Sequence, residues 1–234
     1  MNEFSSAIGA ALSMVATLDA DLIEIVLLSL QISLSAVAIA SIVALPLGAL
    51  IALQNFPGRR AVVLLLNALM GLPPVVVGLM VYLLLSRAGP LGSMGLLFTP
   101  TAMIIAQSII VLPIIAALSR QTIADLHEEY DEHLRSLGCT PIQSVATLLW
   151  DGRFRLLTAI MAGFGRAIAE VGAVIIVGGN ILHSTRVMTT TIALETSKGN
   201  LSLALGLGVV LVTLALGVNA AALVISDAAR RRYG

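Results

Sequence analysis

The chain has 234 residues, of which 58% are hydrophobic and 11% are charged, and its formal net charge is zero. Soluble globular domains are about 25% charged, so this composition excludes a water-soluble core. It predicts an all-α integral membrane protein whose solvent is the lipid bilayer. The zero net charge offers no bulk attraction to nucleic acid, so no nucleic-acid partner is expected.

Five stretches are apolar enough to cross a bilayer, which takes about 20 residues of helix. Residues 4–18 are too short and polar for a sixth span, and an interfacial or wrapping helix is expected there. A single transmembrane domain over residues 1–234 is therefore predicted. The predicted spans are residues 22–53, 61–86, 98–119, 155–181 and 201–226.

Basic residues concentrate in the loops on one side of these spans, and loops enriched in this way are usually cytoplasmic. The other side has only Arg87, Arg186 and Lys198. We therefore predict a multi-pass protein of the cell (inner) membrane, with its N-terminus outside and its C-terminus in the cytoplasm. The cytoplasmic side carries Arg59, Arg60, Arg120, Arg135, Arg153, Arg155, Arg230, Arg231 and Arg232.

Prolines punctuate several predicted spans, at Pro46, at the pair Pro73–Pro74 and at Pro113. Proline removes a helical hydrogen bond and kinks or breaks the helix. Broken backbone at membrane depth is tolerated where protein or a water-filled cavity covers it. The breaks are thus either ordinary packing kinks or marks of a translocation path, for which Pro73, Pro74 and Gly78 are candidate residues.

A polar stretch, residues 121–153, separates the third and fourth predicted spans. It is predicted to form two short helices joined at Gly138, which can take the left-handed conformation that ends a helix. Thr140, Pro141 and Gln143 have the pattern of a capping box at the start of the second helix. The predicted apolar face of that helix consists of Ile142, Val145, Ala146 and Leu149.

An exposed helix pair with an apolar face fits a groove on a partner protein, although a solvated loop against the membrane has the same pattern. The stretch resembles the coupling loop of ABC importer permeases: Glu-Ala-Ala, three residues, Gly, nine residues, then Ile-x-Leu-Pro. Glu132 and Gly138 take the Glu and Gly positions, whereas LLWD at 148–151 replaces the last four. The resemblance implies that Glu132, Gly138, Arg135 and Pro141 couple this chain to an ATPase.

Residues 70–92 and 162–200 resemble the tungstate and molybdate branch of these permeases, and the resemblance extends over residues 22–227. It implies a type I ABC importer fold and a second copy of this chain. It also implies cytoplasmic ABC ATPase subunits that bind ATP and Mg, and an extracytoplasmic tungstate-binding protein. The expected function is a non-catalytic permease subunit that provides the path for tungstate, with molybdate or another oxyanion as the alternative.

The sequence has no Gly-x-x-x-x-Gly-Lys-Ser/Thr loop, so no ATP and no other cofactor is expected on this chain. A secondary transporter, the less favoured class, would need two comparable halves and ionisable coupling residues. A membrane hydrolase would need a nucleophile and a base at membrane depth, where no His is predicted.

Two charged residues, Arg166 and Glu170, lie inside the fourth predicted span. Their i, i+4 spacing predicts that they meet on one helix face. Charges in a membrane cost about 2.5–3.5 kcal/mol each on insertion scales, so they usually pair or line a cavity. They form either a structural ion pair or a site near the path of a dianion. The resemblance adds that the family pattern Gly-Phe-Gly-Arg…Glu recurs here, which makes Gly165 a further candidate.

Hydroxyl and amide side chains follow this span on the predicted outer side. Such groups can pass a tetrahedral oxyanion along by hydrogen bonds without binding it tightly. The candidates are Asn180, Ser184, Thr185 and the run Thr189, Thr190 and Thr191. The three His show no ligand spacing with Cys139, so no metal site is predicted, and Cys139 is assigned no role.

Overall fold

The computed structural model describes residues 20–233 together with Gly9. This part of the chain is all helical, which confirms the predicted fold class; it has nine α-helices, one 3₁₀ turn (η1, Gly92–Met94) and no strand. The helix expected at residues 4–18 lies outside the described residues. The α-helices are α1 (Ala20–Leu53), α2 (Arg59–Leu69), α3 (Pro74–Leu85), α4 (Pro100–Ser136), α5 (Pro141–Asp151), α6 (Arg153–Ile168), α7 (Gly172–Gly178), α8 (Met188–Ser197) and α9 (Leu201–Tyr233).

Three of these helices, α1, α4 and α9, are long and apolar enough to cross a membrane by themselves. Two pairs, α2 with α3 and α6 with α7, pass the same test only together. Each pair is bent by more than 40° at a break of at most 4 residues. The described chain therefore has three to five candidate spans, and five if each bent pair is one span. In that case they correspond in order to the five predicted stretches.

The contacts within the chain divide it into two compact units. Unit 2 contains the polar stretch and the turn between α1 and α2, whereas unit 1 contains α3, α7 and α8. The prediction of one transmembrane domain over residues 1–234 stays a prediction. Unit 1 comprises Met1–Ser35, Pro73–Gln107 and Ala167–Ala221, and unit 2 comprises Ala36–Leu72, Ser108–Arg166 and Ala222–Gly234.

In unit 1, α3 and α7 pack backbone to backbone. A Cβ on Gly78 of α3 would lie only 2.7 Å from the Cα of Ala173 in α7, so only glycine permits this approach. The N–H of Phe98 donates to the carbonyl of Val177 at 2.9 Å, which ties the chain before α4 to the end of α7. Small residues at such contacts are the usual means by which membrane helices approach closely.

In unit 2, the helices that flank the polar stretch share one apolar core. Ser119 Oγ of α4 donates to the carbonyl of Leu45 in α1 at 3.0 Å, which fixes these two helices side by side. Leu148 of α5 is 1% exposed because it inserts into the same core. The core consists of Ala49, Ala52, Ile123, Leu126, Leu134, Leu148 and Leu156.

The prolines act differently from one another. Pro73 is extended, at φ −66° and ψ 120°, and Pro74 is the first residue of α3, so this pair marks a true break. Proline is well tolerated there because the first N–H groups of a helix have no intrahelical acceptor. Pro46 and Pro113 lie inside α1 and α4, which continue past them. These two prolines therefore do not break their helices, and a kink is the alternative that remains for them.

Candidate functional site

A second helix break, at residues 169–171, separates α6 from α7. The sequence contains no proline here, and a single continuous span was expected. Arg166 lies in the last turn of α6, which ends at Ile168, so Glu170 lies beyond the helix. The prediction that both side chains lie on one helix face is therefore wrong. An ion pair between them stays a prediction.

Side chains from elsewhere in unit 1 satisfy the backbone groups that this break exposes. Gln107 Nε2 donates to the carbonyl of Ala167 at 3.1 Å, and Thr189 Oγ1 donates to the carbonyl of Glu170 at 2.8 Å. The carboxylate of Glu170 accepts from the N–H of Ala173 at 3.1 Å. Glu170 is only 3% exposed, and its side chain lies at the start of α7, where it takes up one of the first N–H groups of the helix. The break is thus a fully supported feature of the fold.

The threonine run is buried at the start of α8 and hydrogen-bonds to the protein itself. Thr190 Oγ1 lies 2.9 Å from Asn180 Oδ1 and accepts from the N–H of Val187 at 3.2 Å. Thr191 Oγ1 donates to the carbonyl of Val187 at 2.7 Å. Thr190 is 0% exposed, and Asn180 has a left-handed φ of 51°. Together with the contact from Thr189, these bonds hold the chain on both sides of the α7–α8 loop.

The other predicted path residues are divided between the two units. Pro73, Pro74 and Gly78 lie in unit 1, at the start of α3 and on its contact with α7. Gly165 and Arg166 lie in unit 2, on α6. A Cβ on Gly165 would meet nothing within 4 Å, which contrasts with the close contact at Gly78. Within unit 1 the structure brings Glu170 to Thr189 and Asn180 to Thr190.

The sequence analysis missed Gln107, a lone amide in the apolar stretch IIAQSIIV of α4. Gln107 is 4% exposed, and its Oε1 has no hydrogen-bond partner among the described residues. It lines, with Ser29, Ser33 and Thr189, a cavity of about 10 Å³, close to the size that holds one water. A buried Gln inside an otherwise apolar helix was the signal that could have identified it.

The polar stretch has the local structure that the sequence predicts at its turn. Gly138 has a φ of +67°, and the N–H of Cys139 donates to the carbonyl of Leu134 at 3.0 Å, which closes the helix end. The capping box is confirmed, because Gln143 Oε1 accepts from the N–H of Thr140 at 2.8 Å and Thr140 Oγ1 accepts from the N–H of Gln143 at 3.4 Å.

The first helix of the stretch is not a separate short helix. Residues 121–136 continue α4 without a break, since no Gly or Pro lies between Pro113 and Gly138. Glu132 is exposed on this extension. Arg135 and Pro141 lie on α4 and at the first position of α5, and their side chains are outside the described ones.

The apolar face predicted for α5 is split in the structure. Val145 and Leu149 are half-buried against the core of unit 2, whereas Ile142 is 75% exposed. Leu137 in the turn and Trp150 at the end of α5 are also largely exposed, at 77% and 72%. The predicted face is therefore only partly covered by the core: Val145 and Leu149 pack on it, whereas Ile142 is left exposed.

Asp21, Glu24 and His183 form an exposed cluster in unit 1, each offering one possible ligand atom, and these atoms lie within 4.8 Å of one another. His183 Nδ1 lies 2.9 Å from Glu24 Oε2. This hydrogen bond, and then the charge of Glu24, raise the pKa of His183 above its usual value. The cluster could contact a cation, and the prediction of no metal site stays a prediction.

Residues 44–233 match the family model described as the binding-protein-dependent transport system inner membrane component. The chain belongs to this family. Its members are non-catalytic, multi-pass inner membrane subunits of ABC transporters, which act with an ATPase and a binding protein. The predictions of the family and of a chain that is not an enzyme are confirmed, and the family indicates no cofactor for this chain.

Three relatives are similar over most of the chain. A probable anion ABC transporter permease protein of Haloferax volcanii is 40% identical over 204 residues, which cover 85% of this chain and 88% of the relative. The tungstate uptake system permease protein TupB of Peptoclostridium acidaminophilum is 40% identical over 211 residues, 90% of this chain and 92% of the relative. The TupB protein of Campylobacter jejuni is 39% identical over 165 residues, 70% of this chain and 69% of the relative.

Proposed function

We propose that this chain, a permease subunit for anion import, provides the translocation path for tungstate. The observation that carries the proposal is the 40% identity to a tungstate uptake permease over 90% of this chain and 92% of that relative. Membership of the family requires an ATPase and a binding protein as partners. We assign the ATPase to the cytoplasmic side and a tungstate-binding protein to the opposite side.

This function can be tested by adding the loaded binding protein to the purified permease–ATPase complex and measuring ATP hydrolysis. Tungstate-loaded protein should stimulate ATP hydrolysis several-fold over unloaded protein, and sulfate at equal concentration should not. Stimulation by molybdate alone would move the assignment to that anion. Stimulation by neither anion would overturn the proposal.

We place the gate at the contact between α3 and α7 in unit 1. Both helices begin at a break, and the contact at Gly78 is too close to accept any side chain. Breaks at membrane depth are tolerated where the backbone is covered by protein or lines a cavity. Pro73, Pro74 and Glu170 would define the helix starts, while Asn180 and Thr189–Thr191 would hold the loop that follows.

Arg166 and Gly165 of α6 are proposed to line the path itself. Arg166 is half-buried, and a guanidinium can donate N–H hydrogen bonds to a tetrahedral oxyanion. Gly165 leaves open space beside it, since a Cβ there would meet nothing within 4 Å. A single arginine gives attraction without the several contacts that tight binding needs, which suits a path that must release its cargo.

We further propose that the turn at Gly138 and the outer side of α5 dock on the ATPase, with Glu132, Arg135 and Pro141 on the flanks of the contact. Leu137 in the turn and Ile142 and Trp150 on α5 are each more than 70% exposed. Leu148 of α5 is buried in the core of unit 2 and holds the helix there. A large exposed Trp is typical of residues that dominate an interface. Because α5 is packed on the core that α4 and α6 share, movement of the partner would be transmitted to these two helices.

Two copies of the chain are proposed to form the transporter, with the path between them and the two-fold axis along the membrane normal. The span of α9 is only 17% buried inside the chain, which leaves a long face for lipid or for a second copy. Light scattering of the detergent-purified chain should give a protein mass of twice 24.3 kDa. A purely monomeric mass would contradict this.

The proposed topology, with the N-terminus outside and the C-terminus in the cytoplasm, can be tested with the natural sequence. Cys139 is the sole cysteine and is partly exposed beside the docking turn. A membrane-impermeant maleimide should label it only after the cells are permeabilised. Equal labelling of intact cells would reverse the orientation.

A further inference from the structure

Positively charged side chains lie at the N-terminus of α2, where negatively charged groups are usually favoured. α2 begins after Gly58, whose φ is +89°, and no side chain caps its first N–H groups. Its first two residues are Arg59 and Arg60, and its first turn contains no acidic residue. The N-terminus of a helix carries a partial positive charge and favours an anion. Two guanidinium groups at this position add positive charge to that end of the helix.

Arg59 is held in a fixed position by the end of α1. Its Nε donates to the carbonyl of Ile51 at 2.8 Å, and its Nη2 donates to the carbonyl of Ala52 at 2.7 Å. A weaker contact, 3.4 Å, joins Nη1 to Asn55 Oδ1. The arginine thus caps the C-terminus of one helix while it stands at the N-terminus of the next.

Arg120 of α4 brings a third positive charge to the same place. α4 lies close against α1 here, since a Cβ on Gly48 would be 2.8 Å from the backbone nitrogen of Arg120. The Nε of Arg120 is buried and has no hydrogen-bond partner in the part of the chain that the structure describes. Arg120 also lines an open cavity together with Arg59 and Arg60.

These arginines line one open cavity of about 350 Å³, and none of the described residues in its walls is acidic. One part of the wall is polar and cationic, and the other part is apolar, with Leu64 of α2 being 73% exposed. The lining residues are Arg59, Arg60, Val63, Leu64, Asn67 and Arg120.

We propose that this cavity binds a phosphate-class oxyanion on the face of the chain predicted to be cytoplasmic. A tetrahedral anion would accept hydrogen bonds from the guanidinium groups, whose planar N–H donors match its geometry. The anion is either the headgroup of an anionic lipid, with its chains along Leu64, or a free phosphate. This site is separate from the proposed tungstate path and does not depend on the identity of the cargo.

The test measures both sources on the full-length purified chain. Native mass spectrometry compares the binding of phosphatidylglycerol with that of phosphatidylcholine. Equilibrium dialysis measures the binding of radiolabelled inorganic phosphate at about 0.15 M salt, where distant surface charges are screened. The variants are Arg60→Gln and Arg120→Gln, with Arg87→Gln as the control, because Arg87 is also exposed but lies far along the chain beyond α3. Thermal unfolding verifies that each variant is folded.

For a lipid site, we expect at least a tenfold preference for phosphatidylglycerol that either test variant removes and the control keeps. For a free-anion site, the same pattern should appear in saturable phosphate binding. Arg60→Lys, which keeps the charge, should bind within about threefold of the wild type. This variant is measured in place of the glutamine variants if they fail to fold. The proposal is overturned if neither ligand binds saturably, or if Arg60→Gln and Arg120→Gln bind like Arg87→Gln.

Discussion

Replacing Gly138 with valine tests the docking turn because the expected damage is confined to the backbone. Gly138 has a φ of +67°, and a Cβ there would meet nothing within 4 Å, so no steric clash is added. The cost is the left-handed conformation itself, about 1–2 kcal/mol for an L-residue and at the upper end for a β-branched one. That is small against the roughly 5–15 kcal/mol that stabilises a typical domain, so the chain should still fold and insert.

The same 1–2 kcal/mol lowers the equilibrium constant between the native turn and its alternatives by a factor of about 5–30, which is the upper limit for the fall in the native population. Capture of the ATPase by the tagged permease should therefore fall by up to about 5- to 30-fold in Gly138→Val, while the amount of permease in the membrane stays near normal. Gly138→Asn should retain most of the capture, because asparagine tolerates this conformation.

Gly95 provides a matched control, since it has a φ of +61° and equally open surroundings but lies outside the polar stretch. Gly95→Val should leave ATPase capture unchanged. The reasoning is refuted if Gly138→Val captures the ATPase normally, or if both valine variants lose capture equally.

Four further outcomes are expected. Gly78→Ala should lower the thermal unfolding midpoint by an amount equivalent to about 1–3 kcal/mol, because its Cβ would be 2.7 Å from the Cα of Ala173. Gly165→Ala should leave the unfolding midpoint unchanged or raise it, because a Cβ there would meet no described atom within 4 Å. An equal fall of the midpoint in both variants would contradict the difference in packing at Gly78 and Gly165. The pKa of His183 is raised by Glu24, so its contribution to stability is complete below about pH 6.5 and declines as pH rises through the folded pKa. The difference in unfolding midpoint between wild type and His183→Gln should shrink from pH 5.5 to about pH 9, whereas a constant difference would exclude this linkage. The isolated permease should bind tungstate weakly, with a Kd no lower than about 1 mM, which corresponds to a binding free energy of roughly 4 kcal/mol. Sub-micromolar binding measured by calorimetry would instead place the recognition site in this chain.

Features set by nearby residues were predictable from the sequence. The apolar stretches follow from the length that a bilayer demands, and the capping box follows from Thr140, Pro141 and Gln143 within four positions. Gly138 is also a local signal, because a glycine after a strong helix former is a natural helix end. Each of these depends on residues close together in the chain.

The break before α7 was not predictable in this way because distant residues support it. Gln107 is 60 positions from Ala167, and Thr189 is 19 positions from Glu170. The i, i+4 pattern of Arg166 and Glu170 indicated a continuous helix, whereas hydrogen bonds from Gln107 and Thr189 meet the backbone at the break. Likewise, the apolar residues of α5 could not reveal which side packs on the core of unit 2.

Tungstate uptake into proteoliposomes tests the central claim most directly. The permease is reconstituted with its ATPase, with ATP inside and the tungstate-binding protein outside. The account predicts tungstate accumulation that needs both ATP and the binding protein and that Gly138→Val reduces by up to about 5- to 30-fold. Accumulation of sulfate or molybdate but not tungstate, or tungstate entry without the ATPase, would contradict it.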